Sequence, residues 1–271
     1  MNARKDSHNI FHFESAGIRQ NNNIEYSGNF PVLENDSLHI WSVRYSDLIS
    51  DFSFVSDFLS NTERDKSSRF LDPADSRRYV LRHGMVRYIL GNYTGIEPEL
   101  LPLVKGMNGK PGLDPKSELH EYSFSLSHTD QIVSMGVMKN YRIGIDIVKN
   151  DPGYPIYEIS EYLFTPVEKE FMRGIEPGQR NQMFFRIWAL KEAIVKATGE
   201  GIRMMNKTDV TPVVGPTGNT SLFRVIINEK PMDFFIYRFS PYQEYFGAAA
   251  ICLEGEKYRS GVFSNPYFGD E

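Results

Sequence analysis

Apolar and polar positions alternate over Leu38-His39-Ile40-Trp41-Ser42-Val43, the period of two that marks a strand with two unlike faces. Asp47–Leu59 and Asn61–Phe70 then carry helical spacing, the second with a charged face. Asp72-Pro73-Ala74 is a helix start, Asp72 as N-cap and Pro73 in the first turn, and Leu81, Met85 and Ile89 give the helix over Ala74–Asn92 its apolar stripe. Gly106–Gly112 is turn-rich, and Tyr122–Val137 reads as a hairpin. Ile143-Gly144-Ile145-Asp146-Ile147-Val148 is a strand with three isoleucines on one face and Gly144, Asp146 and Val148 on the other. Thr165-Pro166-Val167-Glu168 spells a capping box with proline at the first helical position. A long helix over Asn181–Thr198 ends at Gly199 and Gly201, and Asp233–Ser240 with Tyr245–Leu253 forms a final hairpin behind the turn Gly215-Pro216-Thr217-Gly218.

In the long helix, Trp188, Glu192 and Lys196 stand at i, i+4 and i+8 and form one column, while Ile187, Leu190, Ile194 and Ala197 form a buried stripe. The column reads as a surface Glu–Lys pair, worth about 0.3–0.5 kcal/mol, or as part of a site. Asp146 sharpens the choice. A carboxylate in an isoleucine-rich strand is unfavourable unless an arginine, a turn or a metal compensates it. Arg77, Arg78, Arg82 and Arg87 in the earlier helix read as a solvated face or as an anion pocket suited to phosphate. Ser127-His128 looks like a nucleophile pair only superficially, since neighbours on a strand face opposite ways, and polar ligand contacts suit it better.

Composition narrows the class. The chain has 271 residues, 41% hydrophobic and 13% aromatic, ample for one large domain or two modest ones. A net charge of -5 argues against a general nucleic-acid binder. The single cysteine, Cys252, excludes an intramolecular disulfide framework and reads as a buried thiol. There is neither a long apolar run for a membrane span nor a signal-peptide core, so a cytoplasmic protein is expected. Residues 1–36 are polar and Asn-rich, with Phe11, Phe13, Tyr26 and Phe30 as possible anchors; Asn265 onwards reads as a tail.

The chain also repeats itself. Val80–Arg87 aligns without gaps on Ala189–Lys196, and Ile132–Val137 on Tyr245–Ala250, which pairs His83 with Glu192. The expected organisation is a polar extension over 1–36, α+β halves over 37–142 and 143–258, and a tail over 259–271. The two halves would be related by a pseudo-twofold, with a ligand cleft between them.

Gly144-Ile145-Asp146-Ile147, Phe164-Thr165-Pro166-Val167-Glu168 and Trp188-Ala189-Leu190-Lys191-Glu192-Ala193-Ile194-Val195-Lys196 resemble the signature blocks of the 4'-phosphopantetheinyl transferases. Gly109-Lys110-Pro111 and Phe124-Ser125-Leu126-Ser127-His128 point to the large, pseudo-dimeric Sfp-type branch. The resemblance implies that the phosphopantetheine arm of coenzyme A moves to a serine of an apo carrier protein, with release of adenosine 3',5'-bisphosphate. It further implies Mg²⁺ held by Asp146 and Glu192, Glu192 as base, and Lys196 on a phosphate. Lys110, Ser127 and His128 would hold the 3'-phosphate and adenosine end, with Arg78 and Lys66 as further cations. A monomer is expected, since the second half supplies what a partner subunit otherwise would. Many family members carry a second acid two positions after the aspartate, where this chain has Val148, which predicts weak metal binding. Two other readings stand beside the transferase: a catalytically impaired coenzyme A-binding protein, and a metal-dependent pyrophosphatase.

Overall fold

A computed structural model of the chain describes residues 12–17, 30–35, 37–49, 52–106, 109–211, 214, 220–227 and 230–253. The expected turn at Gly215–Gly218, the tail, and the anchors Phe11 and Tyr26 lie outside them.

Within the extension, β1 (His12–Gly17) lies parallel to β2 (Ser37–Arg44), and Phe30 stacks on Trp41 at 4.7 Å between ring centroids. Short helices α1 (Tyr45–Leu48) and α2 (Phe52–Asp57) replace the single helix expected over Asp47–Leu59. Leu48 and Val55, both buried, are seven residues apart and fall on one helical stripe, so periodicity alone runs straight through the break. Next come α3 (Asn61–Ser67) and α4 (Pro73–Thr94), whose N-cap Asp72 accepts the Ala74 amide as its sequence predicts. A small ribbon of β3 (Leu103–Lys105) and β4 (Pro111–Leu113) precedes the hairpin β5 (Tyr122–His128) and β6 (Ile132–Lys139).

The second half opens on β7 (Arg142–Lys149), then α5 (Ile156–Leu163), α6 (Pro166–Gly174) and α7 (Pro177–Thr198). Strands β8 (Thr220–Ile227), β9 (Lys230–Phe239) and β10 (Tyr245–Cys252) complete it. Two four-stranded sheets result, in the orders β1-β2-β6-β5 and β7-β10-β9-β8. The mixed α+β architecture is the expected one.

The halves repeat a pattern: a strand, a long helix laid on it, and an antiparallel hairpin whose second strand pairs with the first. Helices α4 and α7 each have 22 residues and end on a left-handed glycine, Gly95 and Gly199. Aligned on those glycines, Arg87 falls opposite Lys191 and Tyr88 opposite Glu192. The sequence alignment, which pairs His83 with Glu192, is therefore slipped; heptad-like apolar stripes match at several offsets, and only the caps fix the register.

Leu38 and Ile40 of β2 pack with Ile143 and Ile145 of β7 in a shared core between the sheets. On the other face of β2, Trp41 and Val43 meet α4, while α7 builds the core of the second half. Gly144 lets α7 approach β7, because a Cβ there would overlap the carbonyl oxygen of Ala193 and the amide of Ala197. This contact brings Asp146 and Val148, on the same strand face, under the Glu192–Lys196 side of the helix. Among the described residues, no helix is long and apolar enough to cross a membrane.

Candidate active site

Strand β7 lies at the edge of its sheet, and its outer edge is closed by side chains rather than by a strand. Ser125 Oγ accepts the Ile145 amide at 3.0 Å and Ser127 Oγ accepts the Ile147 amide at 3.2 Å. Lys110 Nζ donates to the Ile143 carbonyl at 3.0 Å, and Lys196 Nζ to the Ile145 carbonyl at 3.2 Å. Three of these four groups come from the first half, so along the β7 edge the halves meet through directional polar bonds. Unpaired backbone groups at a buried edge cost free energy comparable to a lost hydrogen bond, which explains why hydroxyls and ammonium groups gather here.

Asp146 sits at the centre of that seam, 5% exposed. Its Oδ1 accepts from Ser127 Oγ and from Lys196 Nζ, each at 2.7 Å. Its Oδ2 is buried and makes no hydrogen bond. Native structures seldom leave a buried carboxylate oxygen bare, so this atom points to a missing partner. Lys196 thus pairs with Asp146, not with Glu192 one turn earlier, and the helix-surface salt bridge is absent from the ion pairs of the described residues. Burial, then the Asp146 charge, push the Glu192 carboxyl above its usual range, against the pull of Lys196.

A cavity of about 680 Å³ opens over these groups, and Ser127, His128, Asp146, Glu192 and Lys196 all line it. Trp188, Phe185, Tyr154 and Val148 make its apolar end. Trp188 packs on Phe184 and, edge-on, on Tyr154, at centroid distances of 5.8 and 6.3 Å. Phe184 is fully buried, so the indole is a wall with limited freedom. On the first-half side, His128 Nε2 lies 2.6 Å from Arg82 Nη1 of α4. Burial, then the Arg82 and Lys196 cations, hold the imidazole down at about 4, so it is neutral and accepts this bond.

The structure places the remaining sequence candidates elsewhere. Lys110 lines a neighbouring cavity of about 670 Å³ with Tyr141, Arg142 and Gly199. Its ammonium also donates to the Lys196 carbonyl at 2.7 Å, and burial, then Lys196 and Arg142, lower it to about 8. Arg78 pairs with Asp75 one turn back on α4, and Lys66 lies 4.9 Å from the centroid of the Tyr79 ring. Ser125 and Arg82 also reach this seam, at the Ile145 amide and at His128, although neither is singled out by the sequence. Ser125 was legible as the partner of Ser127 on one strand face. Arg82 was visible only as one of four arginines, since no local pattern says which of them reaches His128.

The first half has no acidic counterpart. Opposite Asp146 and Glu192 stand Trp41 and Tyr88, which close on Phe30 in an aromatic cluster. Among the described residues, no group of three or more His, Cys, Asp or Glu side chains is arranged to hold a metal.

Both halves of the chain match known proteins. Residues 142–250 match the 4'-phosphopantetheinyl transferase superfamily, and residues 44–139 match the N-terminal part of a 4'-phosphopantetheinyl transferase. The chain is similar to the 4'-phosphopantetheinyl transferase HetI of Nostoc sp., at 31% identity over 66% of this chain and 76% of that protein. It is also similar to the 4'-phosphopantetheinyl transferase of Bacillus subtilis, at 27% identity over 54% of this chain and 62% of that protein. The human L-aminoadipate-semialdehyde dehydrogenase-phosphopantetheinyl transferase matches at 27% identity over 52% of this chain and 48% of its own length. The match therefore spans about half to three fifths of the last two proteins and three quarters of the first. Two matched segments on two repeated halves, meeting at a seam that carries Asp146, Glu192 and Lys196, leave one assignment: the chain belongs to the 4'-phosphopantetheinyl transferase superfamily.

Proposed function

We propose that this protein transfers the 4'-phosphopantetheine arm of coenzyme A to a serine of an apo acyl or peptidyl carrier protein, at the cavity between the halves. One observation carries the reading: the bare, buried Oδ2 of Asp146 shares a cavity with a Glu192 carboxyl of raised proton affinity and with the Lys196 ammonium. In the transfer, the serine oxygen forms a bond to the β-phosphorus of the pyrophosphate. The bridging P–O bond breaks, and adenosine 3',5'-bisphosphate leaves. Glu192 takes the serine proton; burial makes it a stronger base than an exposed carboxylate. Lys196 has two donors occupied and offers its third toward a phosphate oxygen.

The donor set fits a small, hard divalent cation such as Mg²⁺. Asp146 Oδ2 and Glu192 are oxygen ligands, and Mg²⁺ completes its shell with waters and substrate phosphate rather than an all-protein cage. When bound it would neutralise charge on the leaving phosphate. Two carboxylates instead of three, with Val148 in place of the third, predict weak binding.

For the nucleotide end, Arg82 supplies a cation beside the neutral His128 ring, and Arg78, one turn before Arg82, would add charge on leaving Asp75. Lys66 would have to leave Tyr79, and Lys110 the β7 edge, to reach the same ligand. Coenzyme A as co-substrate and the single cysteine fit a cytoplasmic protein acting as a monomer, each half supplying part of one cavity.

Incubation with coenzyme A, Mg²⁺ and an apo carrier protein, followed by intact mass, tests the reading. A carrier heavier by one phosphopantetheine supports transfer. Cleaved coenzyme A with unchanged carrier indicates a pyrophosphatase, and intact coenzyme A with unchanged carrier an impaired binding protein; either contradicts it.

A further inference from the structure

Lys191 and Glu168 are both fully buried and pair with each other deep in the second half. Glu168 is the capping-box acid of α6, where its Oε2 accepts the Thr165 amide at 2.8 Å. Its Oε1 accepts the Val210 amide at 2.9 Å, and Lys191 Nζ also donates to the Thr208 carbonyl at 2.6 Å. One ion pair thus ties the start of α6, the middle of α7 and the Thr208–Val210 segment. A buried pair of this kind stabilises little over a well-packed apolar pair, whereas breaking it by removing one partner is costly. Directional bonds of fixed geometry, in contrast, set the rotation and height of a helix. Lys191 precedes Glu192, and adjacent residues on a helix differ by about 100°. Holding Lys191 toward Thr208 turns Glu192 to the cavity.

The first half contains the same device. Glu63, in the capping box of α3, accepts the Ser60 amide at 3.0 Å and pairs with Arg87 of α4, which also donates to the Pro98 carbonyl at 2.7 Å. Lys191 and Arg87 fall opposite each other when the helices are aligned on their terminal glycines. What differs is the cargo of the helix. Helix α7 carries Glu192 and Lys196, and α4 carries Arg82, which meets His128.

We infer that the two capping-box ion pairs are positioning devices for the transfer reaction, the fully buried Glu168–Lys191 for the reacting groups on α7 and the largely buried Glu63–Arg87 for the nucleotide-facing arginine on α4. This rests on the proposed transferase reading. It assigns the two pairs separable kinetic roles, which a shared stabilising role would not.

Two matched double variants test it, each removing both charges so that none is left buried alone: Lys191→Met with Glu168→Gln, and Arg87→Met with Glu63→Gln. The first is expected to lower kcat by about 10–100-fold, as a small misplacement of reacting groups does, with the coenzyme A KM within about threefold. The second is expected to raise the coenzyme A KM by about tenfold with kcat within about threefold. Equal changes in both constants for the two variants, or unchanged constants, overturn the inference. Should the first variant fail to fold, Lys191→Arg keeps the charge but relocates the donors; lowered kcat at unchanged KM is expected, and parental kcat overturns it. Amide exchange across Glu192–Lys196, readable with or without turnover, is expected to rise in the first variant; unchanged protection contradicts positioning. An inactive parent enzyme with this exchange response removes the transferase reading and leaves the positioning intact.

Discussion

Ser127 Oγ donates to Asp146 Oδ1 at 2.7 Å while accepting the Ile147 amide at 3.2 Å. One hydroxyl of the first half therefore holds both the backbone and the central carboxylate of the second. Replacing Ser127 by Ala leaves the Ile147 amide unpaired in a buried seam and is expected to cost about 1–3 kcal/mol. Urea unfolding measures this, and a change under about 0.5 kcal/mol contradicts the edge-closing role.

Gly144→Ala is the more disruptive change. The added methyl meets backbone of α7 at Ala193 and Ala197, which has no rotamer to yield. Overpacking costs about 1–3 kcal/mol or more, and the forced shift lifts Glu192 and Lys196 off Asp146. Loss of transfer together with a lowered melting temperature is expected; a variant with parental activity would show that the close approach is dispensable.

Much of this architecture is legible in the chain. The alternation over residues 143–148 gives the face on which Asp146 stands, and the Thr165–Glu168 box gives the start of α6. Both depend on neighbours within one turn or one pleat. What the chain hides depends on distant partners. Lys196 pairs with Asp146 from 50 positions away and not with Glu192 one turn back, and no helical periodicity can show that preference. Lys110 is expected by resemblance at the nucleotide end of coenzyme A, yet the edge of β7 draws its ammonium to the Ile143 and Lys196 carbonyls. The slip of the internal repeat has the same origin, since the apolar stripes agree at several offsets and only the paired caps and ion pairs choose one.

Val148, which lines the cavity on the same face as Asp146, gives a prediction for the proposed Mg²⁺. With two carboxylates, half-saturating Mg²⁺ is expected well above the low micromolar range. Val148→Asp adds a third and is expected to lower that concentration by about tenfold or more. A magnesium titration of transfer checks both, and saturation at low micromolar metal in the parent contradicts the account.

The first-half ion pair gives an acid-stability prediction. Burial alone would raise the Glu63 carboxyl, but hydrogen bonds from His83 and Arg87 hold it at about 2, against 4.5 for an ordinary glutamate. Between those values the unfolded chain binds the extra proton, so the Glu63 contribution is full above about 4.5 and is lost as pH falls toward 2. Allowing for solvent screening, it amounts to about 2 kcal/mol. The stability gap between parent and Glu63→Gln in urea should therefore narrow steadily from pH 5 to pH 3; a gap independent of pH would sink the assignment.

The most direct test of the central claim is the rate of carrier modification by Glu192→Gln at saturating coenzyme A and Mg²⁺, with coenzyme A affinity measured on the same sample. Removing the base is expected to slow transfer by about 10²–10⁴-fold while the melting temperature holds and coenzyme A still binds through the Arg82–His128 end. Transfer at the parental rate would contradict the role of Glu192, and with it the seam as the reacting centre.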